Sequence, residues 1–518
     1  MNTKENKYVP QKSFVKIRGH LWPFFCLAAT LRKRPDGGRL PARWKIGGAL
    51  LLALTGALAL LSGAFAPEIP LRQRPILTMA ALLGLAGLAF RYLAELIPHA
   101  RETPRLLAAI LLAGAAMRGL LFFSTPILED DFYRYFWDGA LTANGFNPYA
   151  YAPDQMKQEL AGEGEIPPRL LALARESGPV IERINHAYIR TIYPPLTQAA
   201  FALAYLIEPW SLTAWRLVLL GFDLAALLLI FHILRYLKLS PLWIAIYWLN
   251  PLLAKEIFNS AHMDALVFPF LLAAVLFSAQ QKPYRAAIFL ALAAGVKIWP
   301  AALLPLFLRP LWPDYRRMAM ALALFGILAL LLFLPVFAGE FWNESSAFTN
   351  YSTRWQLNDS LFKILLGVSW GITKLIGVHP GHSQLLARFL AGFLLLGWIG
   401  YLTLRTGGKP TTNNPQLTTG NLASIFDRSL LLIAGMFLLL PNQFPWYGVW
   451  LTPLLAISPR KSLLWLTPLL SLYYLRYYYL AIGKVELFDY GIVWLEFIPL
   501  WALIFREWVA KRKLQLDW

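Results

Sequence analysis

The chain has 518 residues, 58% of them hydrophobic and 14% aromatic, with only 15% charged, where a soluble domain carries about 25% charged residues. A mean hydropathy of +0.50, spread over the whole length, excludes both a water-soluble globule and a soluble enzyme on a single anchor, and indicates an all-α polytopic membrane protein. The net charge of +19, from 48 Lys and Arg against 29 Asp and Glu, would suit a nucleic-acid binder if it were spread evenly, but it is not.

Residues 1–45 form a basic N-terminal tail with eleven Lys and Arg and two acidic residues, the positive-inside signature of a cytoplasmic segment near anionic lipid. Within it Leu21 to Leu31 is too short to span, contains Pro23 and is followed by Arg32, Lys33 and Arg34, which fits an interfacial segment and not a cleaved signal peptide. Cys26 is the only cysteine, so neither a disulfide nor a thiolate metal site is available within one chain.

Three apolar runs follow, Ile46 to Ala66, Ile76 to Ile97 and Leu106 to Ser124, each near the length needed to cross the hydrocarbon. Starting inside, they put residues 125–192 outside. That loop holds ten acidic and six basic residues, so parity and charge agree on its side.

Further apolar runs cover 213–236, 241–257, 263–280, 286–308, 318–339, 385–404, 430–440, 446–457, 462–482 and 490–509, separated by basic clusters such as Arg316 with Arg317 and Arg460 with Lys461. Placing those clusters inside predicts about 12 to 14 crossings over 46–510, a cytoplasmic tail at 511–518, and an entry and return of 286–308 hinged near Trp299 and Pro300. The stretches 193–210 and 361–378 then become juxtamembrane or re-entrant helices, and 406–421 a polar linker.

The outer loop opens Glu129, Asp130, Asp131, Phe132, Tyr133, Arg134, Tyr135, Phe136, Trp137, Asp138, Gly139 and continues to Asn147, Pro148 and Tyr149. A helix over 130–138 would align Asp130, Arg134 and Asp138 on one face, with Tyr133 and Trp137 as an aromatic stripe beside them. Carboxylates and stacking rings are what a sugar site requires.

Other polar residues fall where hydrocarbon makes them costly: Asp223, the group Lys255, Glu256, His262 and Asp264, and Lys297 at the predicted hinge. An ionised side chain at mid-bilayer costs on the order of 3 kcal/mol, so each is a functional candidate, although Lys255 with Glu256 could equally be an internal pair. Asn259 or Ser260 would cap the next helix, with Asp264 in its first turn. Three further outer elements, Tyr193 to Gln198, Arg354 to Phe362 with Trp355 and Asn358, and Pro441 to Tyr447 with Gln443 and Trp446, fall on the same side and predict one shared cavity.

These motifs, from Glu129 to Gly139 with Asn147, Pro148 and Tyr149, then Tyr193 to Leu196, Asn250 and Pro251 leading to His262 and Asp264, and Lys297 followed by Pro300, resemble bacterial integral-membrane glycosyltransferases of the GT-C superfamily, especially the polyprenol-phosphate-mannose-dependent mannosyltransferases. The chain departs from them where Ser260 and Ala261 replace the Gly that often precedes the histidine. The resemblance implies a GT-C transmembrane domain with juxtamembrane helices in the first outer loop. It also implies transfer of a hexose, best matched by mannose, from a polyprenyl-phosphate donor to a glycan or glycolipid acceptor on the extracytoplasmic face of the inner membrane, with inversion. One carboxylate must then deprotonate the acceptor, Asp130 or Asp131. Cations must hold the phosphate, for which Arg134, Lys255, Lys297 and Arg354 qualify, with His262 as an extra donor. Trp137, Tyr149, Trp355 and Trp446 are candidate sugar or lipid walls. Some relatives use a divalent cation such as Mg or Mn and others none; Asp130 with Asp264 is the pair that could hold one. A transporter or flippase of a lipid-linked sugar is the alternative, but it would predict inverted halves with matching broken helices, and no such symmetry is visible. Lipid and sugar, not nucleic acid, are the expected partners.

Overall fold

The computed structural model describes residues 40–160, 166–339, 355–405 and 415–516; the interfacial segment predicted at 21–31 and Arg354 lie outside them. Among these residues all regular structure is helical, and helices of twelve residues or more are numbered α1 to α13. They are α1 (Ala42–Leu61), α2 (Ile76–Leu96), α3 (Pro104–Phe122), α4 (Phe132–Ala143), α5 (Pro195–Ile207), α6 (Leu212–Tyr236), α7 (Val267–Ala279), α8 (Pro283–Val296), α9 (Tyr315–Phe337), α10 (Leu361–Leu375), α11 (Ser383–Leu404), α12 (Pro415–Leu439) and α13 (Val493–Leu516).

The all-α polytopic class holds. Among the described residues seven helices are long and apolar enough to cross a membrane: α1, α2, α3, α6, α9, α11 and the segment Val485–Ala510; a bent pair, Pro251–Asn259 with Met263–Ala279, would make eight. The hydropathy count of 12 to 14 exceeds this because the runs at 241–257, 286–308, 446–457 and 462–482 consist of short consecutive α- and 3-10-helical turns. Pro251, Pro300, Pro305, Pro453 and Pro468 lie in those runs, and each removes a backbone donor and collides with the preceding turn. Short helices of 13 residues at α5 and 15 at α10 match the two segments expected not to span. Helix α12 begins at Pro415, so 415–421 continues a helix where a linker was expected, and α13 carries the predicted tail on as helix to Leu516.

Two polar clasps set the frame. Arg118 of α3 meets Asp223 of α6 at 2.6 Å, donates to the Trp248 carbonyl at 2.6 Å, and Tyr247 donates to the same carboxylate at 2.6 Å. Asp223 is therefore spent as a latch between helices, the internal-pair role, since a buried charge must be paired. The approach is tight enough that a side chain on Gly114 would put its Cβ 2.1 Å from Trp248. At the inner end predicted from charge, Arg460 joins Asp427 of α12, by an ion pair, to Glu507 of α13, 3.4 Å away.

The outer loop folds into short helices around its own small core of Trp137, Leu141, Met156, Leu170 and Ile181. Helix α4 begins at Phe132, so Asp130 precedes it and the expected three-residue face reduces to the pair Arg134 with Asp138. Helix α4 packs on α5 so closely that a Cβ on Gly139 would lie 2.5 Å from the Phe201 carbonyl oxygen.

Candidate active site

The site forms where a membrane helix breaks. From Pro251 the chain runs as a short α-helix into a π-helical turn at Lys255–Asn259, then turns by 104° into the helix that begins at Met263. A break inside hydrocarbon strands backbone groups that must find partners. Arg216 of α6 supplies one, donating to the Asn259 carbonyl at 2.8 Å while also holding the Ser124 carbonyl after α3 at 3.0 Å, and Trp215 supplies another, donating to the Ala261 carbonyl at 2.7 Å. Ala261 sits at φ +59°, the left-handed region that costs an L-residue about 1–2 kcal/mol. Where Ser260 and Ala261 replace the Gly that often precedes the histidine, the tight turn is thus made by Ala261.

Asn259 and Ser260 do not cap the next helix; His262 holds that position without a side-chain cap bond, and Asp264 lies in the first turn as expected. Asn259 instead fastens the start of the outer loop, donating to Ser124 Oγ and the Thr125 carbonyl at 2.7 Å and accepting from the Ile127 amide at 3.0 Å. That clasp brings Glu129, Asp130 and Asp131 to the break.

Lys255, Glu256 and His262 are fully buried. Lys255 Nζ donates to Ser260 Oγ at 2.8 Å and Tyr474 Oη at 2.6 Å and lies 3.3 Å from Glu256. Tyr474 also donates to Glu256, whose second oxygen lies 3.0 Å from His262 Nδ1. Trp446 stacks on the His262 ring at 4.2 Å, and Phe444 stacks on Trp446 at 4.4 Å. His262 Nε2 has no partner among the described residues. Beyond it Lys297, at the break after α8, reaches Asp264 at 2.5 Å over the rings of Tyr447 and Trp450, and Trp450 donates to the same carboxylate at 2.5 Å.

On the loop side Tyr477 donates to Glu129 at 3.0 Å. Burial pushes the Glu129 carboxyl up to about 8, with the charges of Lys255 and His262 acting against it. Asp130 accepts from Asn185 and is raised to about 6, by burial first and then by the charge of Asp131. Asp131 is half-buried and within electrostatic reach of Glu129, His262 and Lys297.

The remaining predicted residues hold the loops around this centre. Arg134 lies 3.2 Å from Asp138 and donates to the Ile189 carbonyl; Asp138 also accepts from Thr191 and, at 3.2 Å, from Gln198. Burial raises the Asp138 carboxyl, against the pull of Arg134. Tyr149 donates to the Tyr193 carbonyl at 2.7 Å, Asn147 to the Pro335 carbonyl at 2.9 Å, and Tyr133 accepts from Arg183 at 2.7 Å. Trp137 is buried in the loop core. Trp355 packs near His186, and Asn358 donates to the Gln443 carbonyl and to Glu496, both at 2.9 Å, sewing two later loops together. The centre thus unites Lys255, Glu256, His262, Asp264, Lys297 and Trp446 with Asp131, the chain neighbour of Asp130.

Sequence reading passed over Glu129 as a site residue and missed Tyr474, Tyr477 and Trp450. The available signal was a run of tyrosines, Tyr473 to Tyr479, inside an apolar stretch. Of the pair expected to hold a divalent cation, Asp264 is engaged by Lys297 and Trp450, and Asp130 by Asn185.

No curated protein and no solved structure matches the chain. A family model does, that of the alpha-(1->6)-mannopyranosyltransferase N-terminal domain, over residues 48–313, which include the outer loop, the broken helix and Lys297. Covering more than half of the chain, this match shows that the protein belongs to that GT-C mannosyltransferase family.

Proposed function

We propose that the protein transfers mannose from a polyprenyl-phosphate donor to a hydroxyl of a glycan or glycolipid on the extracytoplasmic face of the inner membrane. The observation that carries this reading is the meeting, at one helix break within the membrane, of two cationic side chains, stacked aromatic rings and an aspartate pair. A lipid phosphate approaching from the bilayer needs cations: His262 offers Nε2, which has no partner among the described residues, and Lys297, though paired with Asp264, keeps 16% of its side chain exposed, whereas Lys255 is fully buried. A sugar needs the rings, which Trp446 and Tyr447 provide. The family name carries an alpha-(1->6) linkage, which suggests a primary hydroxyl as the acceptor.

The reaction is a single displacement. The bond between the anomeric carbon and the phosphate oxygen breaks through an oxocarbenium-like state, the acceptor oxygen bonds to the opposite face, and the acceptor proton passes to a carboxylate. A β-linked donor thereby gives an α-linked product. Asp130 is the better base: its carboxyl, raised to about 6 by burial and then by the like charge of Asp131, is still ionised at neutral pH yet basic enough to draw a proton. The released phosphate leaves as a stable anion, so donors on His262 and Lys297 suffice without an acid. The acidic outer loop and the basic inner clusters support cytoplasmic termini and an outward-facing site.

The test supplies purified protein with labelled polyprenyl-phosphate mannose and membrane lipid extract, comparing wild type with Asp130→Asn and Asp131→Asn. Labelled glycosidic product from wild type, lost in Asp130→Asn, is expected. Product surviving both changes would refute the catalytic assignment, and movement of labelled lipid across vesicles without product would replace the enzyme by a transporter.

A further inference from the structure

The family match ends at residue 313, yet two hydroxyls from far beyond it enter the buried end of the site. Tyr474 donates to Glu256 and accepts from Lys255, whose ammonium also lies 4.1 Å from the centre of the tyrosine ring; Tyr477 donates to Glu129. Tyr474 is fully buried.

We propose that Tyr474 is a positioning residue for the transfer: by holding Glu256 it fixes the ring of His262, so that Nε2 is the atom presented to the donor's phosphate. The proposal rests on the transferase reading above. Glu256 offers two oxygens, one held by Tyr474 and the other facing His262 Nδ1 at 3.0 Å. A carboxylate at one ring nitrogen accepts a hydrogen bond from that N–H and so sets the role of the other. The ring cannot swing away, because Trp446 covers its face at 4.2 Å. What remains is Nε2, without a partner among the described residues and, in the imidazolium form, a donor to a phosphate oxygen. The titratable groups facing this ring are Glu256 from its own segment and Glu129 and Asp131 from the outer loop, with Tyr474 and Lys255 behind Glu256. Losing the Tyr474 hydroxyl would free a Glu256 oxygen to draw on Lys255 or to rotate, and either would loosen the ring.

The experiment uses the full chain in lipid nanodiscs, with Tyr474→Phe, Glu256→Gln and the double variant. Rates are taken with polyprenyl-phosphate mannose and membrane lipid extract as the source of acceptor from pH 5 to pH 9, and binding with polyprenyl phosphate alone by thermal shift. Tyr474→Phe should lower kcat on the order of tenfold, as loss of a partner behind a histidine does, with KM for the acceptor unchanged and the pH profile displaced. The double variant should be little worse than Glu256→Gln, because the two groups act as one unit. A wild-type kcat and pH profile in Tyr474→Phe, or losses that multiply in the double variant, would overturn the proposal. Should wild type make no product at any pH, the transferase reading fails; the thermal shift then decides this proposal, upheld if polyprenyl phosphate stabilises wild type more than Tyr474→Phe and overturned if equally. Should Tyr474→Phe fail to fold, the pH profile of Glu256→Gln decides in its place, displaced if the proposal holds.

Discussion

Replacing Asn185 by Ala tests the catalytic base without touching a carboxylate. Asn185 is exposed on the outer loop and donates to Asp130. This bond favours the ionised form and so acts against the burial and the Asp131 charge that raise Asp130 to about 6. A hydrogen bond to a charged group contributes about 1.5–3 kcal/mol; exposure to water should roughly halve that, leaving about 0.7–1.4 kcal/mol, or about 0.5–1 pH unit. Asn185→Ala should therefore move the acid limb of kcat/KM upward from about 6. At pH 6 the ionised fraction falls from about one half to between about a tenth and a quarter, a two- to fivefold rate loss, while at pH 8 the rate stays within about 10% of wild type. Asp131→Asn removes a charge that raises Asp130 and should move the limb the other way. The assay is initial transfer rate against pH for the three proteins. An acid limb that stays in place in Asn185→Ala, or moves downward, would refute Asp130 as the base.

Glu129 offers a test through stability. Its folded value of about 8 stands above the ordinary carboxyl value of 4.5, so the folded state holds the proton more tightly; that contribution is complete below pH 4.5, declines as pH rises and is gone above about 8. Glu129→Gln should thus flatten the loss of thermal stability between these limits and be the more stable protein at pH 8, measured by thermal unfolding in detergent; an unchanged slope would count against the buried, protonated carboxyl. Ala261→Gly should relieve the left-handed strain, about 1–2 kcal/mol, less about 0.4–1 kcal/mol of added chain entropy, giving a slightly raised melting temperature; a clear fall would contradict the strained turn. Asp223→Asn should destabilise by about 3–5 kcal/mol because it leaves Arg118 buried without its counter-charge, and replacing both residues by apolar ones should cost much less. Equal losses in the single and double variants would show that the pair is not a latch.

Hydropathy and charge placement alone determine the membrane class and single out the acidic loop at 125–192 and the candidate residues, because both are sums over neighbours along the chain. The cost of a charge in hydrocarbon singled out Asp223, Lys255, Glu256, His262, Asp264 and Lys297 before any partner was known. Hydropathy cannot count unbroken spans, since prolines divide apolar runs without changing their polarity. Nor can it separate Asp223, latched to Arg118 for architecture, from Lys297 and His262 at the site. Tertiary structure decides that, through contacts between distant residues: Tyr477 is 348 positions from Glu129, and Tyr474 is 218 from Glu256. A buried polar group is defined by what satisfies it, and here the satisfying groups arrive from the opposite end of the chain, which no local pattern encodes.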